Sequence, residues 1–145
     1  MDGLSRYLFL AAALPFILLG GVHGVLTLRD TRKPIALSPT DPKLREAMAE
    51  SGLLVSGRMN LWLAWIGFNL SHSLGAVLFG VVLVRVGRSE AEFARQAGLF
   101  LPLGLVTSFA YLWLAVKYWF RAPALGIGLS VLCLLLSSVA RLAGL

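Results

Sequence analysis

The chain has 145 residues, of which 58% are hydrophobic and 14% charged, with a mean hydropathy of +0.82 and a net charge of +6. Soluble domains carry about 25% charged residues, so this chain holds too few to cover a water-exposed surface. That composition excludes a soluble enzyme, a secreted disulfide scaffold, a disordered tail and a nucleic-acid module.

Uncharged stretches run over 7–28, 59–84, 96–116 and 122–140, with lengths of 22, 26, 21 and 19 residues. A hydrocarbon core of roughly 30 Å is crossed by about 20 helical residues. The expectation is an all-α polytopic membrane protein. Four transmembrane helices, at about 7–28, 61–84, 96–118 and 123–141, form a bundle within a single domain, 1–145.

The first span covers Tyr7 to Leu28, and Pro15 near its middle should kink it. It reads as an uncleaved helix. Its apolar run exceeds the roughly 7–15 residues of a signal-peptide core, and no A-x-A site follows. The segment 29–58 holds ten of the twenty charged residues and three of the six prolines, Pro34, Pro39 and Pro42. Asp41-Pro42 reads as an N-cap followed by proline at the first helical position. Leu44 and Met48 are four apart, with charges elsewhere around the helix. This predicts a short amphipathic helix within 41–52 that lies on the membrane surface and ends at Gly52.

The second span covers Leu61 to Val84, and a tight basic turn containing Glu90 and Glu92 follows from Arg85 to Arg95. The third span runs from about Gln96 to Tyr118, with Pro102 in its early turns. Arg121-Ala122-Pro123 opens the fourth, which ends near Arg141. Few or no β-strands are expected. The basic residues cluster at the span ends, where lipid headgroups take them. Four spans place five Lys/Arg on the side of the termini and eight on the other, which leaves orientation open. The one cysteine, Cys133, can form no internal disulfide, and no C-x-x-C or other metal motif is present.

Each span carries one stripe at spacings of three and four, which places the set on one helix face. These are Phe16, Gly20, His23 and Thr27; Trp62, Trp65, Asn69, His72, Ala76 and Phe79; Gly104, Ser108, Tyr111, Ala115 and Tyr118; and Gly126, Ser130, Cys133 and Ser137. Lipid offers polar groups no hydrogen-bond partner, so the stripes should face one another. At about 1.5 Å per residue from the span ends, His23, Asn69, Ser108 and Tyr111 fall in one layer, with His72 below it. These five are the candidate ligand-binding residues. A second, small face on the second span, Gly67-x-x-x-Ser71-x-x-x-Gly75, lets a helix approach closely. An ordinary interhelix contact is the first reading of that face, and a homo-oligomer seam the second.

The stretches Gly21-Val-His-Gly-Val-Leu-Thr-Leu28, Leu37-Ser-Pro-Thr-Asp-Pro42 and Leu61-Trp-Leu-Ala-Trp-Ile-Gly-Phe-Asn-Leu-Ser-His-Ser-Leu-Gly75 together resemble a group of small, uncharacterised four-helix bacterial integral membrane proteins. The resemblance covers roughly the first 80 residues. It implies a bacterial inner-membrane location and one compact domain, and it carries over no activity, cofactor or catalytic residue.

Three functions are compatible with these residues. The first is a non-catalytic protein that binds a small lipid-like or isoprenoid molecule, or serves as an accessory subunit. The second is a membrane enzyme with a His/Asn/Tyr site acting on a lipid-dissolved substrate. The third is a haem-binding electron-transfer protein with His23 and His72 as axial ligands. No Asp or Glu lies in the four predicted spans, which argues against proton-coupled transport. No Ser-His-Asp set is available for hydrolysis. The reading therefore leans away from an enzyme. The bilayer and a small apolar ligand are the expected partners, and nucleic acid is not among them.

Overall fold

The computed structural model of the chain describes residues 3–33 and 36–145; Pro34, one of the loop prolines above, lies outside the described residues. The elements are α1 (Gly3–Ala11), α2 (Ala13–Asp30), α3 (Pro42–Glu50), strands β1 (Gly52–Leu53) and β2 (Ser56–Asn60), α4 (Leu61–Gly87), α5 (Glu90–Tyr118) and α6 (Arg121–Leu142). Apart from that hairpin, all regular structure among the described residues is helical. Four helices are long and apolar enough to cross a membrane: Gly3–Asp30, Leu61–Gly87, Glu90–Tyr118 and Arg121–Leu142.

The helix boundaries follow local chemistry. The break between α1 and α2 falls at Ala12, one residue beyond Ala11, whose carbonyl the Pro15 ring would crowd. Ser130 Oγ donates to the Ala12 carbonyl at 2.9 Å, so the interrupted turn gains a partner from α6. At α3 the expected cap is present: Asp41 accepts from the Lys43 N–H at 2.9 Å, and Pro42 opens the helix. Ser51, not Gly52, caps its end, its N–H donating to the Ala47 carbonyl at 2.9 Å; Gly52 instead begins β1.

The turn expected over Arg85–Arg95 is much shorter. Only Arg88 and Ser89 separate α4 from α5. Ser89 Oγ accepts from the Glu92 N–H at 3.2 Å, and Glu90 and Glu92 fill the first turn, where negative charge favours a helix N-terminus. Charge ends the lipid-compatible part of a helix without ending the helix. Pro102 therefore sits near the middle of an unbroken α5 and not in its early turns.

The chain divides into two compact units, Met1–Leu19 with Ala76–Leu145, and Gly20–Gly75. In the first, α6 packs along α1 and α5. Phe9, Ala12, Ala13, Leu83, Phe93, Ala97 and Leu134 are wholly buried there, with the Phe9 and Phe93 rings 5.2 Å apart. A second cluster joins Phe16, Ala76 and Ile127. Two serines staple α1 to α6: Ser5 Oγ donates to the Ser137 carbonyl at 2.8 Å, and Ser137 Oγ returns the bond to the Ser5 carbonyl at 2.7 Å. Small residues allow this approach, because a larger side chain at either position would part the backbones. Gly80 plays the same part between α4 and α2. A Cβ there would lie 2.6 Å from Ile17 Cγ1 and 3.0 Å from the Ala13 carbonyl oxygen.

The second unit holds the end of α2, α3, the antiparallel β1–β2 hairpin and the start of α4. The hairpin's two short strands fall within the expectation of few or none. Its two-residue loop, Leu54-Val55, carries none of the Gly, Asn or Asp that marks such loops.

Most stripe positions are buried or half-buried; Trp65 and Tyr118 are the exposed ones, each near a helix end, where aromatic rings anchor at the headgroup level. The small face behaves otherwise. Gly67, Ser71 and Gly75 are all exposed, and a Cβ on Gly67 would meet nothing within 4 Å. At Gly67 the interhelix contact expected through this face is not made among the described residues. Close approach on α4 uses Ser73 and Gly80, on the face that also buries Asn69 and Ala76. A run of small residues permits an approach, but the polar stripe decides which face turns inward.

Candidate functional site

Five candidate residues divide between the units. His23, Asn69 and His72 belong to Gly20–Gly75; Ser108 and Tyr111 belong to the other.

The cluster in the second unit starts from a close backbone approach. A Cβ on Gly24 would stand 3.3 Å from Ser73 Cβ, so α2 and α4 nearly touch there. His23, next to Gly24, and Asn69, one turn before Ser73, are thereby brought within reach. His23 Nε2 and Asn69 Oδ1 are 2.9 Å apart. Asn69 Nδ2 donates to the Trp65 carbonyl at 2.8 Å. That second bond orients the amide and leaves its oxygen as the group facing the imidazole. The neutral ring must then carry its proton on Nε2 and donate to Asn69, with the lone pair on Nδ1.

His72 meets His23 edge to face, with ring centroids 5.6 Å apart and planes at 86°. The close approach of Gly24 to Ser73 brings their neighbours His23 and His72 into this contact. Asn69 is buried and both histidines are half-buried. The nearby hydroxyls bond along their own helices: Thr27 Oγ1 donates to the His23 carbonyl at 2.8 Å, and Ser73 Oγ to the Asn69 carbonyl at 2.9 Å. Such back-bonding satisfies them locally and leaves the imidazoles as the chemically distinctive groups.

The imidazole is oriented by a neutral amide where a catalytic base is commonly oriented by a carboxylate. The hydroxyls of Thr27, Ser71 and Ser73 all have their protons engaged by backbone carbonyls of their own helices. Among the described residues, no group of three or more His, Cys, Asp or Glu side chains comes together to hold a metal ion.

In the first unit, Ser108 is wholly buried, and its Oγ has no hydrogen-bond partner among the described residues. Tyr111 is half-buried, edge-on to Phe16 at 5.4 Å and to Trp119 at 6.4 Å, and it packs on the Phe16, Ala76 and Ile127 cluster.

One polar residue escaped the sequence reading. Asp30, the last residue of α2, is 2% exposed. Its carboxylate accepts from the Ala36 N–H at 3.1 Å, the Leu37 N–H at 2.6 Å and the Ser38 hydroxyl at 3.1 Å. A signal was present. An acid in the last helical turn opposes the helix dipole, so it needs donors of its own, and the loop returns to supply them.

No family model, curated protein or solved structure matches this chain.

Proposed function

We infer that the chain is a multi-pass membrane protein that binds a small lipid-like or isoprenoid molecule, either alone or as the accessory subunit of a larger assembly. The observation that carries this reading is the His23–Asn69 hydrogen bond with His72 edge-on beside it, on two helices apolar enough to cross a membrane. Intramembrane ionisable groups are rare and tend to mark function. His23 Nδ1 and the lone pair of the neutral His72 ring beside it are the acceptors the cluster offers, so the favoured ligand carries a hydroxyl or another donor at one end and an apolar body.

In this reading the four spans form a bundle in a bacterial inner membrane, in keeping with the resemblance of the 21–28, 37–42 and 61–75 stretches. α3 lies along the membrane surface as an amphipathic cover, with Leu44 and Met48 toward lipid. The exposed Gly67, Ser71 and Gly75 face is available to a second copy. The haem alternative demands more of the site. Imidazole–haem ligation commonly uses Nε2, and His23 Nε2 is committed to Asn69. His23 would have to leave that bond first.

The test is His72→Gln, which keeps volume and hydrogen bonding and removes the imidazole. Lipids extracted from the purified wild type and variant are compared by mass spectrometry, with thermal stability in detergent as the folding control. The expected result is a stable variant that has lost one co-purifying species. An unchanged lipid profile, at unchanged stability, would make the histidines purely structural.

A further inference from the structure

The β1–β2 hairpin carries at its tip two of the three most exposed apolar residues described, the third being Leu142 at the end of α6. Leu54 is 111% and Val55 is 89% exposed relative to reference side chains, at the loop that Leu53 and Ser56 close. The loop lacks the glycine or asparagine usual there, and no residue in it has a positive φ. Neither turn chemistry nor packing within the chain accounts for leucine and valine at this tip.

The base of the hairpin is pinned to a membrane-crossing helix. The Leu61 N–H donates to the Ser51 carbonyl at 2.9 Å, and Asn60 Oδ1 accepts from the Leu63 N–H at 2.9 Å, so β2 passes into the first turn of α4 without slack. α3 packs against β2. The level of this junction is marked by aromatics. Trp62 lies in the first turn of α4 with the Arg45 guanidinium 5.5 Å over its ring, and Trp65 follows one turn on. Tryptophan and arginine together are typical of the headgroup layer. The five residues of β2, at about 3.3 Å each, keep the tip within roughly 17 Å of that junction. The headgroup layer is about 5–7 Å deep per leaflet, so the hairpin is long enough to lie across it. The sole charge in 51–60 is a cation, Arg58, which is exposed on β2. A cation beside an apolar tip matches lipid phosphate above acyl chain.

We propose that the 52–60 hairpin is a membrane-inserting wedge, which buries Leu54 and Val55 at the acyl boundary beside the N-terminus of α4 and sets Arg58 against lipid phosphate. The proposal rests on the spans and not on the histidine cluster. Its occupant is the bilayer surface, in preference to a second copy or a protein partner.

The test uses full-length protein carrying Cys133→Ala, with single cysteines at Leu54→Cys, Val55→Cys or, as a water-facing control, Glu46→Cys. Each is labelled with an environment-sensitive fluorophore and reconstituted in equimolar phosphatidylcholine and phosphatidylglycerol vesicles. Leu54 and Val55 are so exposed that their replacement removes no packing, and two tip positions guard against one failed variant. The expected result is blue-shifted emission at both tip sites, quenched several-fold more by lipids brominated high on the acyl chain than by aqueous iodide, with the reverse order at position 46. Quenching by iodide at the tip equal to that at position 46 would place the tip in water and overturn the proposal. Blue-shifted emission that neither quencher reaches would mean that protein covers the tip, and would overturn it equally.

Discussion

Alanine at Gly80 and at Gly67 is the same chemical change on the same helix, yet opposite outcomes are expected. In a helix interior, replacing glycine with alanine stabilises by roughly 0.5–1 kcal/mol through the lost backbone entropy of the unfolded chain. At Gly67 the new methyl meets nothing within 4 Å, so that gain should appear nearly whole. At Gly80 the methyl would sit 2.6 Å from Ile17 Cγ1, 3.0 Å from the Ala13 carbonyl oxygen and 3.2 Å from the Ile17 nitrogen. Ile17 Cγ1 can rotate away, but two of the three obstacles are backbone and move only if α2 and α4 part. Overpacking of a tight contact costs about 1–3 kcal/mol, which exceeds the propensity gain. Gly80→Ala should therefore be net destabilising by roughly 1–2 kcal/mol, and Gly67→Ala neutral or stabilising. Reversible unfolding in mixed micelles, followed by helix circular dichroism, measures both. A Gly80→Ala protein as stable as Gly67→Ala would show that α2 and α4 do not pack through Gly80.

Two further outcomes follow from the polar contacts. Asp30→Asn keeps the shape but removes a charged acceptor that serves two N–H groups and a hydroxyl; bonds to charged groups are worth about 1.5–3 kcal/mol, so the Ala36 and Leu37 amides should exchange at least tenfold faster, and unchanged protection would mean that the carboxylate does not hold the loop. Ser137→Ala removes the bond to the Ser5 carbonyl and one partner of the Ser5 hydroxyl; with interhelix bonds in lipid averaging about 0.6 kcal/mol, the loss should stay under about 2 kcal/mol, and a larger one in the micelle titration would reveal a packing role beyond the hydrogen bond.

Much of the cluster was legible before any coordinates. His23, Asn69 and His72 shared stripes with small and polar neighbours, and those stripes are the faces the fold buries or half-buries. The pairing of His23 with Asn69 was expected as a shared layer and is found as a bond. The edge-to-face contact of His72 with His23 was not legible, because it depends on the approach of Gly24 to Ser73, which neither stripe specifies. Asp30 was passed over as one charge among ten in a wet segment. The boundary at Ser89 was missed although Ser89-Glu90-Ala91-Glu92 spells a capping box.

The sequence by itself determined what local free energy decides. Transfer of apolar residues to lipid depends on composition and length, so four uncharged runs of adequate length specify four helices long and apolar enough to cross a membrane. A capping residue acts on its own backbone, so Asp41-Pro42 specifies the start of α3. Tertiary structure alone decided what needs a partner. Gly67 and Gly80 are the same residue type on one helix, and the presence of Ile17 and Ala13 across from one of them makes it the point of approach. The same holds for the hairpin. Leu54-Val55 carries no turn signal, and the loop closes because Ser51, Asn60 and the first turn of α4 hold its base. Contacts between distant residues depend on what stands opposite, and no residue's own preference encodes that.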